Sequence, residues 1–306
     1  RIKVMQTLYG WQMDNEIPLT KLEHNLESKI KKSLVLYLTN IQYLVEVCQY
    51  SMVDKAKRLA KYIQTDEDGK ASTTIAANSI VKFILQDDIF LSFAKKEAIG
   101  NYINQETVKH LFVELTNKEK YKEYAKIETP TLEQDKEIIA YIIKKVFPVV
   151  KDFENHLEEL FINYYDDNAL ILHILGKYVE SFNENVKNNF FQTLNVWEEE
   201  KKFAQSLLAK TIQYSDELNA YIEPSLKNWE MDRIAFLDLT LMKMAVCELK
   251  YFPTIPVKVT INEYIDISKL YSTPKSKDFV NGVLDKIKKK MLENNEIKKH
   301  GRGLME

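Results

Sequence analysis

The sequence predicts an all-α protein, and three observations carry that prediction. Glycine and proline number only seven each in 306 residues, too few for the corners of a strand-and-turn fold. Apolar residues recur at three- and four-residue spacing through most of the chain, the period of a helix with one buried face. Hydrophobic residues make up 45% against 29% charged, so a packed core is available and disorder is not the default. The length corresponds to about two domains.

Residues 1–13 read as a short amphipathic helix with Val4, Met5, Leu8, Tyr9 and Trp11 crowding one side, and Asp14 to Pro18 break the pattern. From about Leu26 to Ile63 the chain reads as one long helix or two abutting ones. Leu34, Leu38, Ile41, Val45, Cys48 and Met52 form its core stripe. Thr65 to Ser72 is a polar loop, and helical patterns resume over Phe83–Ala98 and Val108–Tyr124. Thr131 and Gln134 form a capping box that opens a helix to about Val146. Pro148 starts another helix, with Phe153, Leu157, Leu160, Phe161 and Tyr164 facing inward, and two more follow near 167–187 and 199–222. The stretch Arg233–Leu249, with Asp232 or Glu230 at its start, is apolar nearly all round, which suits the centre of a bundle. Pro253 and Pro256 force an extended connection. Thr260 and Glu263 then read as a second capping box, and Ile261, Ile265 and Ser268 supply a buried face. After the loop Tyr271–Ser276, a last helix carries Val280, Val283, Leu284, Ile287 and Met291 at core spacing. Gly282 fits that helix if another backbone approaches it closely.

Most catalytic chemistry is excluded. Seven dispersed glycines form no phosphate-binding loop, and the five histidines form no HExxH motif and have no cysteine pair nearby. Asp87–Asp88 and Asp166–Asp167 point about 100° apart on a helix and read as solvated caps rather than metal ligands. His156 and Glu159 share a helix face, as chance often arranges. No Ser or Cys lies in a nucleophile motif, so neither an enzyme nor a cofactor is expected. Cys48 and Cys247 read as buried thiols of a reducing, cytoplasmic compartment. No run reaches the ~18 apolar residues of a membrane span. Net charge is −2, but residues 198–238 carry 5 basic and 9 acidic side chains and residues 243–302 carry 13 and 7. That basic end suits a polyanion, and it equally suits lysines that face helix-dipole C-termini.

Two stretches resemble one family. RIKVMQTLYGWQ (1–12) is similar to the opening helix of the NusB antitermination factors. WEMDRIAFLDLTLMKMAVCELKYF, IPVKVTINEYIDISKLY and KDFVNGVLDKI, within 229–287, resemble its C-terminal half. The resemblance implies a NusB-like helical bundle without cofactor, formed by residues 1–16 and 196–306, with 17–195 as an inserted helical domain. It also implies an RNA-binding role in transcription antitermination. The partners would be boxA-type RNA of ribosomal RNA operons, the ribosomal protein NusE and the RNA polymerase elongation complex, with no membrane.

By the same resemblance, Arg1, Lys3, Gln6, Lys275, Lys277 and Phe279 contact RNA, while Tyr9 and Asp238 meet NusE. The chemistry agrees at one corner, because an aromatic that opens a helix after a basic loop can stack on an unpaired base while lysines hold phosphates. Position alone would also let Phe279 merely cover the loop and Tyr9 sit in the core. Three departures stand out. The family's arginine-rich stretch before the first helix has no counterpart, since the sequence opens at Arg1. Lys243 stands where arginine is usual, and Asp278 where a basic residue is common. Two alternatives compete. One is the NusB-like accessory domain of ribosomal RNA cytosine methyltransferases, a class that needs a second domain with a Gly-rich cofactor loop and a catalytic Cys, neither of which is read in this sequence. A helical protein-interaction scaffold with a decayed RNA face is the other.

Overall fold

The computed structural model describes residues 1–14, 16–69, 71–183, 192–226 and 233–304. In chain order the helices are α1 (Ile2–Met13), α2 (Leu19–Leu59), α3 (Asp66–Gly69), α4 (Ser79–Gln86), α5 (Asp88–Lys96), α6 (Gln105–Thr116), α7 (Glu119–Ala125) and α8 (Leu132–Tyr141). There follow α9 (Lys151–Leu160), α10 (Tyr164–Ser181), α11 (Gln192–Gln213), α12 (Ser215–Ile222), α13 (Phe236–Tyr251), α14 (Val257–Tyr271) and α15 (Ser276–Glu293). No strand occurs among the described residues, so the all-α prediction holds. Both cysteines are buried and neither is in a disulfide.

The chain divides into two units, Arg1–Ile30 with Glu198–Glu306, and Lys31–Trp197. The division falls inside α2, after Ile30, rather than ahead of that helix at 16/17. The reason is that Leu22 and Leu26 are buried in the first unit's core and Ile30 packs against it.

In the first unit, α13 is buried along its length from Thr240 to Leu249, and α1, α12, α14 and α15 all pack on it. A helix with apolar residues around most of its circumference has no face to give to water, so its neighbours must surround it. Val4, Met5 and Leu8 of α1 are buried in this core, and Trp11 is half-buried against it. On α15, Val280, Val283, Leu284, Ile287 and Met291 all point inward. Gly282 differs from expectation, because it is exposed and nothing lies within 4 Å of where a Cβ would be.

The second unit has its own core. Leu34, Leu38, Ile41, Val45 and Cys48 of α2 are buried there, but Met52 is 49% exposed. Ser51 takes the inward position instead and donates its hydroxyl to the Cys48 carbonyl at 2.8 Å. The capping box at α8 forms as read: the Thr131 hydroxyl accepts from Gln134 N–H and the Gln134 side chain accepts from Thr131 N–H. Pro148 sits in a short 3-10 turn, so α9 begins three residues later, and Leu160 is 42% exposed. Asp87 caps α5 by accepting from Phe90 N–H. Asp167, read as a solvated cap, is buried and accepts from Ser33 Oγ at 2.6 Å and from Asn163 Nδ2 at 2.5 Å.

Candidate nucleic-acid interface

The start of α1, which carries several of the candidate residues, is held by a buried carboxylate. Glu248 lies on α13 with its side chain wholly out of water. Arg1 grips it with two parallel bonds, Nε to Oε2 at 2.9 Å and Nη2 to Oε1 at 2.8 Å. The Thr260 hydroxyl donates to Oε1 at 2.9 Å and the Tyr264 hydroxyl to Oε2 at 3.0 Å. Four donors converge on one buried charge, which is how such a charge is tolerated in a core. Burial beside that carboxylate pushes the Tyr264 hydroxyl well above the usual phenol range.

Arg1, expected to contact RNA, has a side chain 19% exposed, bound to Glu248 and 5.2 Å over the Phe203 ring. The same arrangement corrects one expectation: Thr260 is not a helix cap. Helix α14 starts at Val257, right after Pro256, and Thr260 sits inside it with its hydroxyl on Glu248. The local pattern T-x-x-E mimics a capping box, but the hydroxyl has a better, charged acceptor across the bundle.

Lys3 and Gln6 are half-buried on α1. Tyr9 is 41% exposed, and its ring meets Phe236 edge to face with centroids 5.2 Å apart. That is neither a core residue nor an unsupported one, and such a half-seated ring is suited to anchoring a partner. Asp238, expected to meet the partner, is 4% exposed. From the first turn of α13 it accepts the Ser272 hydroxyl on Oδ1 and the Ser276 hydroxyl on Oδ2, each at 2.6 Å. Its carboxylate fixes the α14–α15 connection from below. Lys243, in the position where arginine is usual, is also buried. Burial pushes its ammonium below the ordinary lysine range, and it donates to Ser215 Oγ at 3.2 Å.

The α14–α15 connection carries the corner read from sequence. Lys275 and Lys277 are exposed there, as is Asp278, and Phe279 is half-buried with its ring against the core. A cavity of about 300 Å³ opens between Phe279, Lys275, Ser276 and Thr273 on one side and Arg233, Ile234 and Asp238 on the other. Sequence reading missed Arg233, placing it only within the helical stretch 233–249. The signal was its adjacency to the apolar run of α13, which ties it to the bundle. Glu230 and Asp232, the proposed starts of that helix, lie outside the described residues, and α13 itself begins at Phe236. One aromatic wall, a floor of hydroxyls and a buried carboxylate, and cations at the rim can hold a planar ring with a phosphate beside it. Arg1, which precedes α1, and Lys3, Gln6 and Tyr9 on it do not line this cavity.

Comparisons with known proteins agree with this bundle. The NusB family matches residues 166–289, a span that begins in α10 of the second unit and ends near the close of α15. The transcription antitermination protein NusB of Salinibacter ruber is 42% identical over 105 residues, which are 34% of this chain and 66% of that protein. The NusB of Bacillus mycoides is 42% identical over 96 residues, 31% of this chain and 74% of that protein. That of Chloroherpeton thalassium is 39% identical over 106 residues, 35% of this chain and 50% of that protein. No solved structure matches. Identity of this degree over nearly three quarters of a relative, on a stretch folded as one buried central helix with its partners, places the chain in the NusB family.

Proposed function

We propose that this protein is an RNA-binding transcription antitermination factor of the cytoplasm. It acts with NusE on boxA-type RNA of ribosomal RNA operons, in the RNA polymerase elongation complex. The observation that supports this best is the corner at the start of α15, where Phe279 forms one wall of a cavity rimmed by Lys275 and Arg233. Exposed Lys277 and the open backbone at Gly282 extend the same end of the helix. In this reading Phe279 stacks on a base, Lys275 and Lys277 hold phosphates, and Lys3 and Gln6 extend the contact along α1. Arg1 acts indirectly, by anchoring α1 through Glu248. Tyr9 meets NusE, and Asp238 serves that surface through the connection it fixes. Residues 17–195 are read as an insertion. The 105 residues matched in the Salinibacter ruber relative are 66% of it, so that relative is shorter than the 306 residues here.

Gel shifts with a boxA RNA, with and without NusE and across a salt series, test the proposal. Lys277→Ala should lower affinity and reduce the log–log salt slope by about 1, since one phosphate contact is lost. Phe279→Ala should cost roughly 1–3 kcal/mol of binding with little change in slope, because a flat ring contributes no charge. Tyr9→Asp should weaken NusE binding while helical content and unfolding temperature hold. If NusE binding is intact and neither corner variant alters RNA affinity, this face is not the RNA site, and the scaffold reading replaces the proposal.

A further inference from the structure

A second surface of the first unit lies at the other end of α15. Phe279 and Lys288 are nine positions apart on that helix, about 14 Å along its axis at 1.5 Å per residue. There α14, α15 and the segment after α15 enclose a groove of about 910 Å³. Its apolar lining comes from Val257, Ile261, Leu292, Ile297 and Leu304. Two of these face water to an unusual degree, Leu292 at 50% and Leu304 at 69%. Lys258, Lys288, Lys298 and Lys299 also line it, and no carboxylate does among the described residues; Lys288 is paired with Asp285 at 2.6 Å and Lys299 donates to backbone, while Lys258 and Lys298 are exposed.

The wall formed by the last segment is built rather than draped. His300 N–H donates to the Pro253 carbonyl at 3.0 Å, and Lys299 Nζ donates to the Phe252 carbonyl at 2.9 Å. Gly303 passes so close that a Cβ there would lie 2.0 Å from the Pro253 oxygen, so only glycine fits. Ile297 packs on the core. A preformed groove costs a ligand little ordering.

We propose that this groove docks an acidic segment of a partner protein, one that presents aliphatic side chains to the floor and carboxylates to the lysine rim. Charge complementarity selects the acidic partner, since exposed Lys258 and Lys298 stand at the rim of a lining that holds no carboxylate among the described residues. The floor selects protein over nucleic acid: it is aliphatic, and it offers no ring on which a base can stack. Amphipathic helices seat their apolar face in grooves of this kind.

The test titrates the full-length protein into a fluorescein-labelled helical peptide with leucines along one face and glutamates along the other, read by anisotropy. Binding is expected, weakening as salt rises. The double variant Lys258→Glu/Lys298→Glu should reduce affinity about tenfold or more through rim charge alone. Both lysines are exposed, so the fold should be undisturbed, and boxA RNA binding serves as the control that stays unchanged. Leu292→Ser should also weaken the peptide, with its salt dependence retained. Equal binding of a peptide with lysines in place of the glutamates would overturn the proposal, as would unchanged affinity in the double variant. So would loss, in that variant, of self-association or of binding to RNA without boxA, which would assign the groove to a second copy or to nucleic acid.

Discussion

Glu248 is the single residue on which most of the first unit's polar order depends. It draws α1 onto α13 through Arg1 and draws α14 onto α13 through Thr260 and Tyr264. A buried ion pair is weak evidence of net stabilisation, but removing one partner leaves the other charge uncompensated. Glu248→Ala should therefore cost about 3–5 kcal/mol in urea unfolding, since Arg1 and two hydroxyls lose their acceptor. RNA binding should fall with it, because α1 loses its anchor. A loss below about 1 kcal/mol would mean that water or another carboxylate replaces Glu248 at little cost. The site residues divide along the same line. Arg1 and Asp238 carry charge that the fold itself consumes, whereas Lys275 and Lys277 present theirs to solvent and Tyr9 exposes part of its ring.

At the scale of elements, helix α15 joins stability and binding in one place. Gly282 occupies an exposed interior position with open space where a Cβ would be. Glycine there costs about 1 kcal/mol relative to alanine. Gly282→Ala should accordingly raise stability by roughly 1 kcal/mol, while weakening boxA binding if RNA approaches the backbone beside Phe279. Calorimetry paired with the gel shift reads both, and a more stable variant with unchanged affinity would exclude a close approach at that position. Much of the fold was legible because helix period is local: the stripe from Val280 to Met291 and the buried run of α13 follow directly from spacing. Met52 and Leu160 were misread at helix positions where the period allows either of two neighbours inward. The Glu248 network was not legible, because its donors lie 247, 12 and 16 residues away and no local pattern links them. The cavity at Phe279 was half legible. Its basic loop and aromatic stand together in sequence, while Arg233 reaches it only through the packing of α13.

At the scale of the whole molecule, the two units have separate cores. One draws on residues 34–182 and the other on residues 4–26 and 204–291, with no buried residue in common. Every candidate RNA or NusE residue lies in the unit Arg1–Ile30 with Glu198–Glu306, which holds the second of these cores. If 17–195 is an insertion in a NusB bundle, the bundle's own interactions should suffice to fold it. A chain joining 1–30 to 198–306 through a flexible Gly-Ser linker should then keep its helical circular dichroism and unfold in one cooperative transition. The first thirty residues are retained because Leu22 and Leu26 complete this core, and cutting at residue 16 would leave a cavity worth several kcal/mol. Closing a linker of modest length costs little, since loop entropy grows only slowly with length. The shortened chain should also bind boxA RNA with NusE at unchanged affinity. A shortened chain that folds but loses RNA would show that residues 31–197 supply part of the RNA surface. One that collapses without cooperative unfolding would show that the bundle depends on them for its fold, and the insertion reading would be abandoned.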